Sequence, residues 1–183
     1  ATKYAALAFK GKVHLYNRDY QKATDCFKQV IGSGLYALYD DYANLFKPGG
    51  DESSEMIFAI QNMGGVGTDL GMPMCFYMGS RESYGSCWNN VMVSPHFVDT
   101  YEYKDGRPFD WDCFPGIKTD DKIKVKTFRA TMEKGKVKTY PAAKGKLLEM
   151  YAQRDPRMNA TVLLPYTKYI GWYANAQEDC EFV

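Results

Sequence analysis

A ten-residue stretch near the middle of the chain carries side chains of the types that recognise sugars. It runs Arg81-Glu82-Ser83-Tyr84-Gly85-Ser86-Cys87-Trp88-Asn89-Asn90, and its glycine, serines and asparagines predict a loop. Sugars stack their apolar ring faces on flat aromatic side chains, while amides and charged groups hydrogen-bond to their hydroxyls. We predict a ligand site here, with Trp88 as the platform. The other members follow by type: Tyr84 and Tyr77 as side walls, and Arg81, Asn89 and Asn90 as hydroxyl partners.

A second interpretation of this tryptophan stays open. Trp88 is equally compatible with a core position beneath the loop, because a large aromatic ring is mostly buried in folded proteins. Trp111 and Trp172 are the reserve candidates for the platform.

Catalytic chemistry finds little support in the sequence. A glycosidase needs two carboxylates at a set separation, and the candidates qualify by residue type alone: Glu82, Asp99, Glu102, Asp110 and Asp112. No nucleophile elbow, phosphate loop or dinucleotide fingerprint is present. We therefore predict a binding protein without catalytic residues and without a cofactor.

Metal binding is not predicted either. The only histidines, His14 and His96, have no Cys or second His at ligand spacing, and the five cysteines do not form a zinc pattern. Asp110 and Asp112 resemble the start of a calcium loop, but Pro115 stands where such a loop needs glycine.

Two helices are predicted at the start of the chain, near residues 3–16 and 19–32. Apolar or small residues recur every three or four positions in each: Tyr4, Leu7, Ala8, Gly11 and Leu15, then Tyr20, Ala23, Phe27, Val30 and Ile31. Asp19 is the expected N-cap of the second helix. The short linker makes the helices antiparallel neighbours, with Tyr20 and a buried Phe27 facing Ala8 and Gly11.

Four of these residues, Gly11, Tyr20, Ala23 and Phe27, have the order and offsets of a tetratricopeptide unit. Such a unit needs neighbours to bury its remaining face. The rest of the chain contains no second copy.

Shorter elements are predicted further along. We expect helices near 94–103, capped by Ser94 with Pro95 in its first turn, and near 144–153. We also expect a buried strand or extended segment at 55–61 and a strand at 161–164. Asp155 should form an ion pair with a flanking arginine in Arg154-Asp155-Pro156-Arg157. The last twenty residues show no clear closing element.

Positive charge is concentrated between residues 117 and 146, which hold ten Lys or Arg and three acidic residues, although the whole chain has a net charge of +1. Lys122, Lys124 and Lys126 alternate with Ile123 and Val125, which predicts a strand with one charged face. Lys136-Val137-Lys138 repeats the pattern. A lysine-protected edge hairpin is favoured over a nucleic-acid patch, so no nucleic-acid partner is predicted.

Several segments together resemble the SusD/RagB family of glycan-uptake lipoproteins. They are Ala5-Ala6-Leu7-Ala8, 15–23, Gly34-Leu35-Tyr36-Ala37-Leu38, 42–46, 54–60, 94–101 with Lys104-Asp105-Gly106, and Arg154-Asp155-Pro156-Arg157-Met158. The resemblance implies a mainly α fold with minor β structure: a tetratricopeptide-like hairpin followed by a loop-rich region. Residues 1–183 would be an internal fragment forming a single SusD-like domain, with the helical pair at 1–46 and a ligand-binding subregion at 47–183.

The resemblance also implies a function. Family members capture an oligosaccharide or another small nutrient at the bacterial surface and deliver it to a TonB-dependent transporter of the SusC type. They are attached to the outer membrane by a lipid anchor, which would lie outside this fragment. Two alternatives stay open: a protein-interaction scaffold built on the helical pair, and a glycoside hydrolase.

Overall fold

Helices dominate the computed structural model, which confirms the mainly α fold with minor β structure. The structure describes residues 2–60, 90–173 and 176–183, with the backbone alone at 172–173 and 176–178. The chain divides into two compact units, Ala1–Met63 and Gly64–Val183. The subdivision into 1–46 and 47–183 stays a prediction.

The first unit begins with the predicted helical pair. Helix α1 spans Lys3–Tyr16 and helix α2 spans Tyr20–Ile31. The Thr2 hydroxyl caps α1 by accepting from the Ala5 amide at 3.1 Å. Asp19 is the N-cap residue of α2, but its side chain caps no amide. Its carboxylate lies 3.3 Å from His14 Nδ1 instead.

Small residues allow α1 and α2 to approach each other closely. A Cβ atom at Gly11 would lie 2.6 Å from the Phe27 ring, so this glycine is required by the contact. The expectation for the bulky residues was wrong in part, since Phe27 is half-buried and Tyr20, in the first turn of α2, is 62% exposed. Small and medium-sized residues fill the seam: Ala5, Gly11, Ala23, Cys26 and Val30.

The remainder of the first unit is short helix and loop. Helix α3 spans Tyr42–Leu45, and a 3₁₀ turn spans Gly50–Glu52. A buried strand or extended segment was predicted at 55–61; no strand forms over 55–60 and none of these residues is fully buried, while residue 61 lies outside the described residues. Side-chain contacts hold this segment: the Tyr39 amide donates to Glu55 at 2.7 Å, and the Phe58 and Phe9 ring centroids lie 5.9 Å apart.

The second unit contains four described helices and two hairpins. They are α4 (Pro95–Asp99), α5 (Asp121–Phe128), β1 (Thr131–Glu133), β2 (Lys136–Thr139), α6 (Lys144–Gln153), α7 (Pro156–Thr161), β3 (Lys168–Tyr173) and β4 (Ala176–Glu181). Strand β1 pairs antiparallel with β2, and β3 pairs antiparallel with β4. Helix α4 begins as predicted, with Ser94 as N-cap and Pro95 in the first turn, but ends at Asp99.

The strand predicted across Lys122 to Thr127 was wrong, because this segment is helix α5. Asp120 caps it by accepting from the Lys122 amide at 2.8 Å. An alternating pattern this short also places Ile123 and Thr127 four residues apart on one helical face, and these are half-buried and buried. The lysine hairpin exists only further on, as β1 and β2.

Two expectations near the C-terminus were also wrong. The strand predicted at 161–164 is absent, because Asp155 caps a new helix that starts at Pro156 and continues to Thr161. The chain does have a closing element, the β3–β4 hairpin, in which Tyr169 pairs with Cys180. Its alternation is masked in the sequence by Gly171 and by acidic residues in β4.

The core of the second unit forms around α6 and α7. Its buried members are Phe114, Ile117, Leu147, Met150, Tyr151, Met158, Val162, Leu164 and Tyr166. Glu181 joins the end of β4 to α6, since it accepts from Lys144 Nζ at 2.5 Å and from the Tyr140 hydroxyl. In the described part of the chain, no helix has the length and apolar character needed to cross a membrane.

The close approach at Gly11 generates a stability prediction. Gly11→Ala should lower the free energy of unfolding by about 1–3 kcal/mol, because the added methyl group meets the Phe27 ring. Gly145→Ala is the matched control: Gly145 is also helical but has open space around it, so this change should stabilise by about 0.5–1 kcal/mol. Urea denaturation of both variants measures the difference. Equal effects would contradict the packing of α1 on α2.

Candidate functional site

The structure describes one of the six residues predicted to hold a ligand. Asn90 is exposed and precedes α4 by five residues. The other five lie outside the described residues: Tyr77, Arg81, Tyr84, Trp88 and Asn89. The ligand loop therefore stays a prediction. Of the two reserve tryptophans, Trp172 lies in β3, and Trp111 is described in full.

Trp111 lies in a group of rings that we call the aromatic cluster, made of Phe109, Trp111, Phe114 and Phe128. The Trp111 ring centroid is 5.1 Å from that of Phe109, 6.1 Å from that of Phe114 and 5.8 Å from that of Phe128. Its indole nitrogen donates to the Asp99 carboxylate at 3.1 Å. The ring is half-buried, so it is both fixed in orientation and partly accessible.

An open cleft lies beside the aromatic cluster. It has a volume of about 240 Å³ and is lined by Trp111, Asp112 and residues 114–118. Gly116 has a positive φ of 82°, and a Cβ atom there would lie 2.6 Å from the Ile123 side chain. This glycine therefore lets the cleft wall turn tightly against α5. The cleft combines an aromatic ring, a carboxylate and the Lys118 ammonium group, which are the groups that hold sugar rings and hydroxyls.

A buried arginine positions the segment that carries these groups. Arg154 is only 2% exposed, and its Nη2 donates to the carbonyl oxygens of Val98 at 2.9 Å and Tyr101 at 2.7 Å. Its guanidinium carbon lies 3.4 Å from the centroid of the Phe109 ring. Arg154 thus joins the end of α6 to the end of α4 and to the aromatic cluster.

Backbone hydrogen bonds reinforce this junction. The Lys104 amide donates to the Gln153 carbonyl at 2.9 Å, and the Asp155 amide donates to the Glu102 carbonyl at 2.8 Å. Burial lowers the pKa of Arg154, while the nearby Asp99 carboxylate opposes that shift. Arg154 remains charged, because its ordinary pKa lies far above neutral pH.

The sequence motif around this arginine was interpreted correctly in part. Asp155 forms the predicted ion pair with a flanking arginine, and the partner is Arg157, whose Nε lies 2.9 Å from Asp155 Oδ2. These bonds hold the pKa of Asp155 below its ordinary value. The structural role of Arg154 was missed. A signal was present, because Leu147, Met150, Tyr151 and Arg154 share the spacing of one helical face.

The carboxylates of this region have structural partners. Asp99 accepts from Trp111, and Asp110 accepts from the Asp112 amide at 2.9 Å. Asp105 accepts from Arg107 Nε at 2.8 Å. Among the residues that the structure describes, no group of three or more His, Cys, Asp or Glu could hold a metal ion. The arrangement is suited to binding a polar ligand with an apolar face.

The buried arginine generates a second prediction. Arg154→Ala should destabilise the protein by about 3–5 kcal/mol, because two carbonyls lose a charged donor and the Phe109 ring loses its cover. Arg157→Ala, three residues away, should cost about 1 kcal/mol or less, since exposed ion pairs contribute little. Thermal and urea unfolding of both variants would measure this. A small loss for Arg154→Ala would mean that the junction is not structural.

Comparison with known proteins identifies the family to which the chain belongs. The model of the SusD family matches residues 54–180. The SusD-like protein P25 of Formosa agariphila is 24% identical over 108 residues, an alignment that covers 54% of this chain and 19% of that protein. The chain thus spans about a fifth of the length of the curated relative that it matches. No solved structure matches the chain significantly. Because the family match covers more than half of its residues, the chain belongs to the SusD family.

Proposed function

We propose that the full-length protein binds an oligosaccharide or another small nutrient at the bacterial cell surface. The observation that carries this proposal is the family match over residues 54–180, which includes both the predicted ligand loop and the aromatic cluster. Trp88 is proposed as the platform, Tyr84 and Tyr77 as the side walls, and Arg81, Asn89 and Asn90 as the hydroxyl partners. Trp111 is proposed as a second aromatic surface.

The proposal extends to delivery and location. Membership in the SusD family implies a TonB-dependent SusC-type transporter in the outer membrane as the partner that receives the nutrient. It also implies a lipid anchor in the full-length protein. Both statements rest on the family alone, because no described residue marks a transporter contact.

A binding role without catalysis fits the chemistry of the site. A glycoside hydrolase needs one carboxylic acid and one carboxylate placed across a scissile bond. Asp99 accepts a hydrogen bond from the Trp111 indole, and Asp110 accepts one from the Asp112 amide, so both carboxylates have a structural role that a binding site without catalysis accounts for. Release of reducing sugar by the purified protein would contradict this part of the proposal.

The alternative of a protein-interaction scaffold has one observation in its favour. The helical pair carries large exposed apolar residues, among them Tyr16, which is 79% exposed, and Ile31, which is 75% exposed. A scaffold would use these residues to bind protein, whereas a nutrient-binding protein would not need them for its ligand.

Trp88→Ala in the full-length protein tests the proposed function. If Trp88 is a platform, the change should weaken binding to an oligosaccharide by about 1–3 kcal/mol, by analogy with bases stacked on aromatic side chains, with an unchanged melting temperature. A fall in melting temperature of about 5 °C or more would identify a core residue instead. Binding is measured on a glycan array and then by calorimetry.

Tyr16→Ala provides the control for this experiment. Tyr16 lies at the end of α1 in the first unit, so its removal should leave oligosaccharide affinity unchanged. Absence of binding to any oligosaccharide, together with loss of a protein partner in the Tyr16→Ala variant, would favour the scaffold and overturn the proposal.

A further inference from the structure

Helix α5 lies within the basic segment 117–146 and carries three of its lysines. The strand interpretation explained Lys122, Lys124 and Lys126 as protection of a sheet edge. A helix has no edge to protect, so that explanation now covers only the lysines of the β1–β2 hairpin. Edge protection therefore does not explain the lysines of α5.

These lysines face solvent because the opposite side of α5 packs inward. Ile123 is half-buried and Thr127 is buried, and both lie on the inner side of the helix. Lys122 and Lys126 are four residues apart and therefore lie on one outer face. We define the basic face as four exposed residues: Lys118, Lys122, Lys126 and Arg129.

The charges of the basic face are not neutralised by the described protein. Ion pairs in this region of the structure use other lysines, namely Lys138 with Glu133 at 3.0 Å and Lys144 with Glu181 at 2.5 Å. The described residues place no carboxylate within ion-pair distance of the basic face. Asp120 caps α5 and Asp121 lies in its first turn, and these two carboxylates leave the four cations of the basic face with an excess of positive charge.

The basic face adjoins the cleft beside the aromatic cluster. Ile123 of α5 contacts the backbone at Gly116, and the Phe128 ring, at the end of α5, lies 5.8 Å from that of Trp111. Lys118 belongs to both surfaces, since it also lines the cleft. A ligand seated against Trp111 therefore lies within the field of several unpaired cations.

We propose that the basic face recognises the carboxylate or sulfate groups of an acidic oligosaccharide, a proposal that rests on the proposed function and specifies its ligand class. Lysine ammonium groups bind such anions by charge-assisted hydrogen bonds. A sugar ring contacts the cleft, and its substituents or neighbouring rings contact the lysines. Neutral oligosaccharides would forgo these contacts.

A nucleic acid fits the same surface less well. A continuous phosphate backbone would pass the exposed carboxylate of Asp112, which lines the cleft, and that of Asp110 two residues before it, and both would repel it. A strand of bases also stacks on a series of exposed rings, whereas Trp111 is half-buried among its neighbours. An oligosaccharide with separated charges can place hydroxyls beside these carboxylates.

The test compares a charge-reversed face with a matched control in the full-length protein. The variant is Lys122→Glu with Lys126→Glu, and the control is Lys10→Glu with Lys12→Glu on α1, which are also exposed. Calorimetry measures affinity for oligogalacturonate, for a sulfated galactan oligosaccharide and for the unsulfated galactan oligosaccharide. A single-stranded DNA of similar charge is the fourth probe.

The face variant should lose about tenfold or more in affinity for the carboxylated or the sulfated probe, with the control unchanged, as expected for two reversed surface charges. The two charged probes identify which anion is recognised. Raising the salt concentration should weaken binding of the unmodified protein and affect the face variant less.

Two results would overturn the inference while leaving nutrient binding intact: neutral and anionic oligosaccharides binding equally, or the face variant and the control variant losing affinity equally. Tighter binding of the DNA than of either charged sugar would also overturn it, in favour of a nucleic-acid surface. If no oligosaccharide binds at all, the proposed function fails together with the inference.

Discussion

The buried guanidinium of Arg154 joins helix α6 to the end of helix α4, and the rest of the second unit's cleft depends on this contact. Removing an arginine from water is costly unless its hydrogen bonds are replaced. Here the carbonyl oxygens of Val98 and Tyr101 replace two of them, at 2.9 and 2.7 Å from Nη2, and Phe109 covers one face of the group. The Nε atom of Arg154 is buried without a hydrogen-bond partner among the described residues. Because the bonds reach across more than fifty residues of sequence, they fix the end of α4 relative to α6. The aromatic cluster depends on that placement.

The junction at Arg154 also positions the cleft that we propose as a ligand surface. Asp99, the last residue of α4, orients the Trp111 indole, and Trp111 forms one wall of the cleft. Gly116 brings α5 against the other wall. The same packing turns the inner face of α5 to the core and leaves its lysines in solvent. An aromatic ring, a carboxylate and unpaired cations therefore lie on one surface of the second unit.

The parts of this fold that the sequence predicted are those with long, regular patterns. Helices α1, α2 and α6 were predicted to within a residue or two, because apolar or small residues recur every three or four positions over ten or more residues. Helix α5 was mistaken for a strand because eight residues allow both periods, and only the burial of Ile123 and Thr127 distinguishes them. The buried role of Arg154 was missed because arginine is rarely buried, and because its partners are backbone carbonyls, which carry no sequence signal.

We propose that the second unit, and not the helical pair, holds the ligand. Hydrogen–deuterium exchange of the full-length protein, with and without a saturating oligosaccharide, distinguishes the two. Exchange should slow in peptides covering residues 77–90 and 111–118, with no change in α1 or α2. Protection confined to α1 and α2 would contradict it.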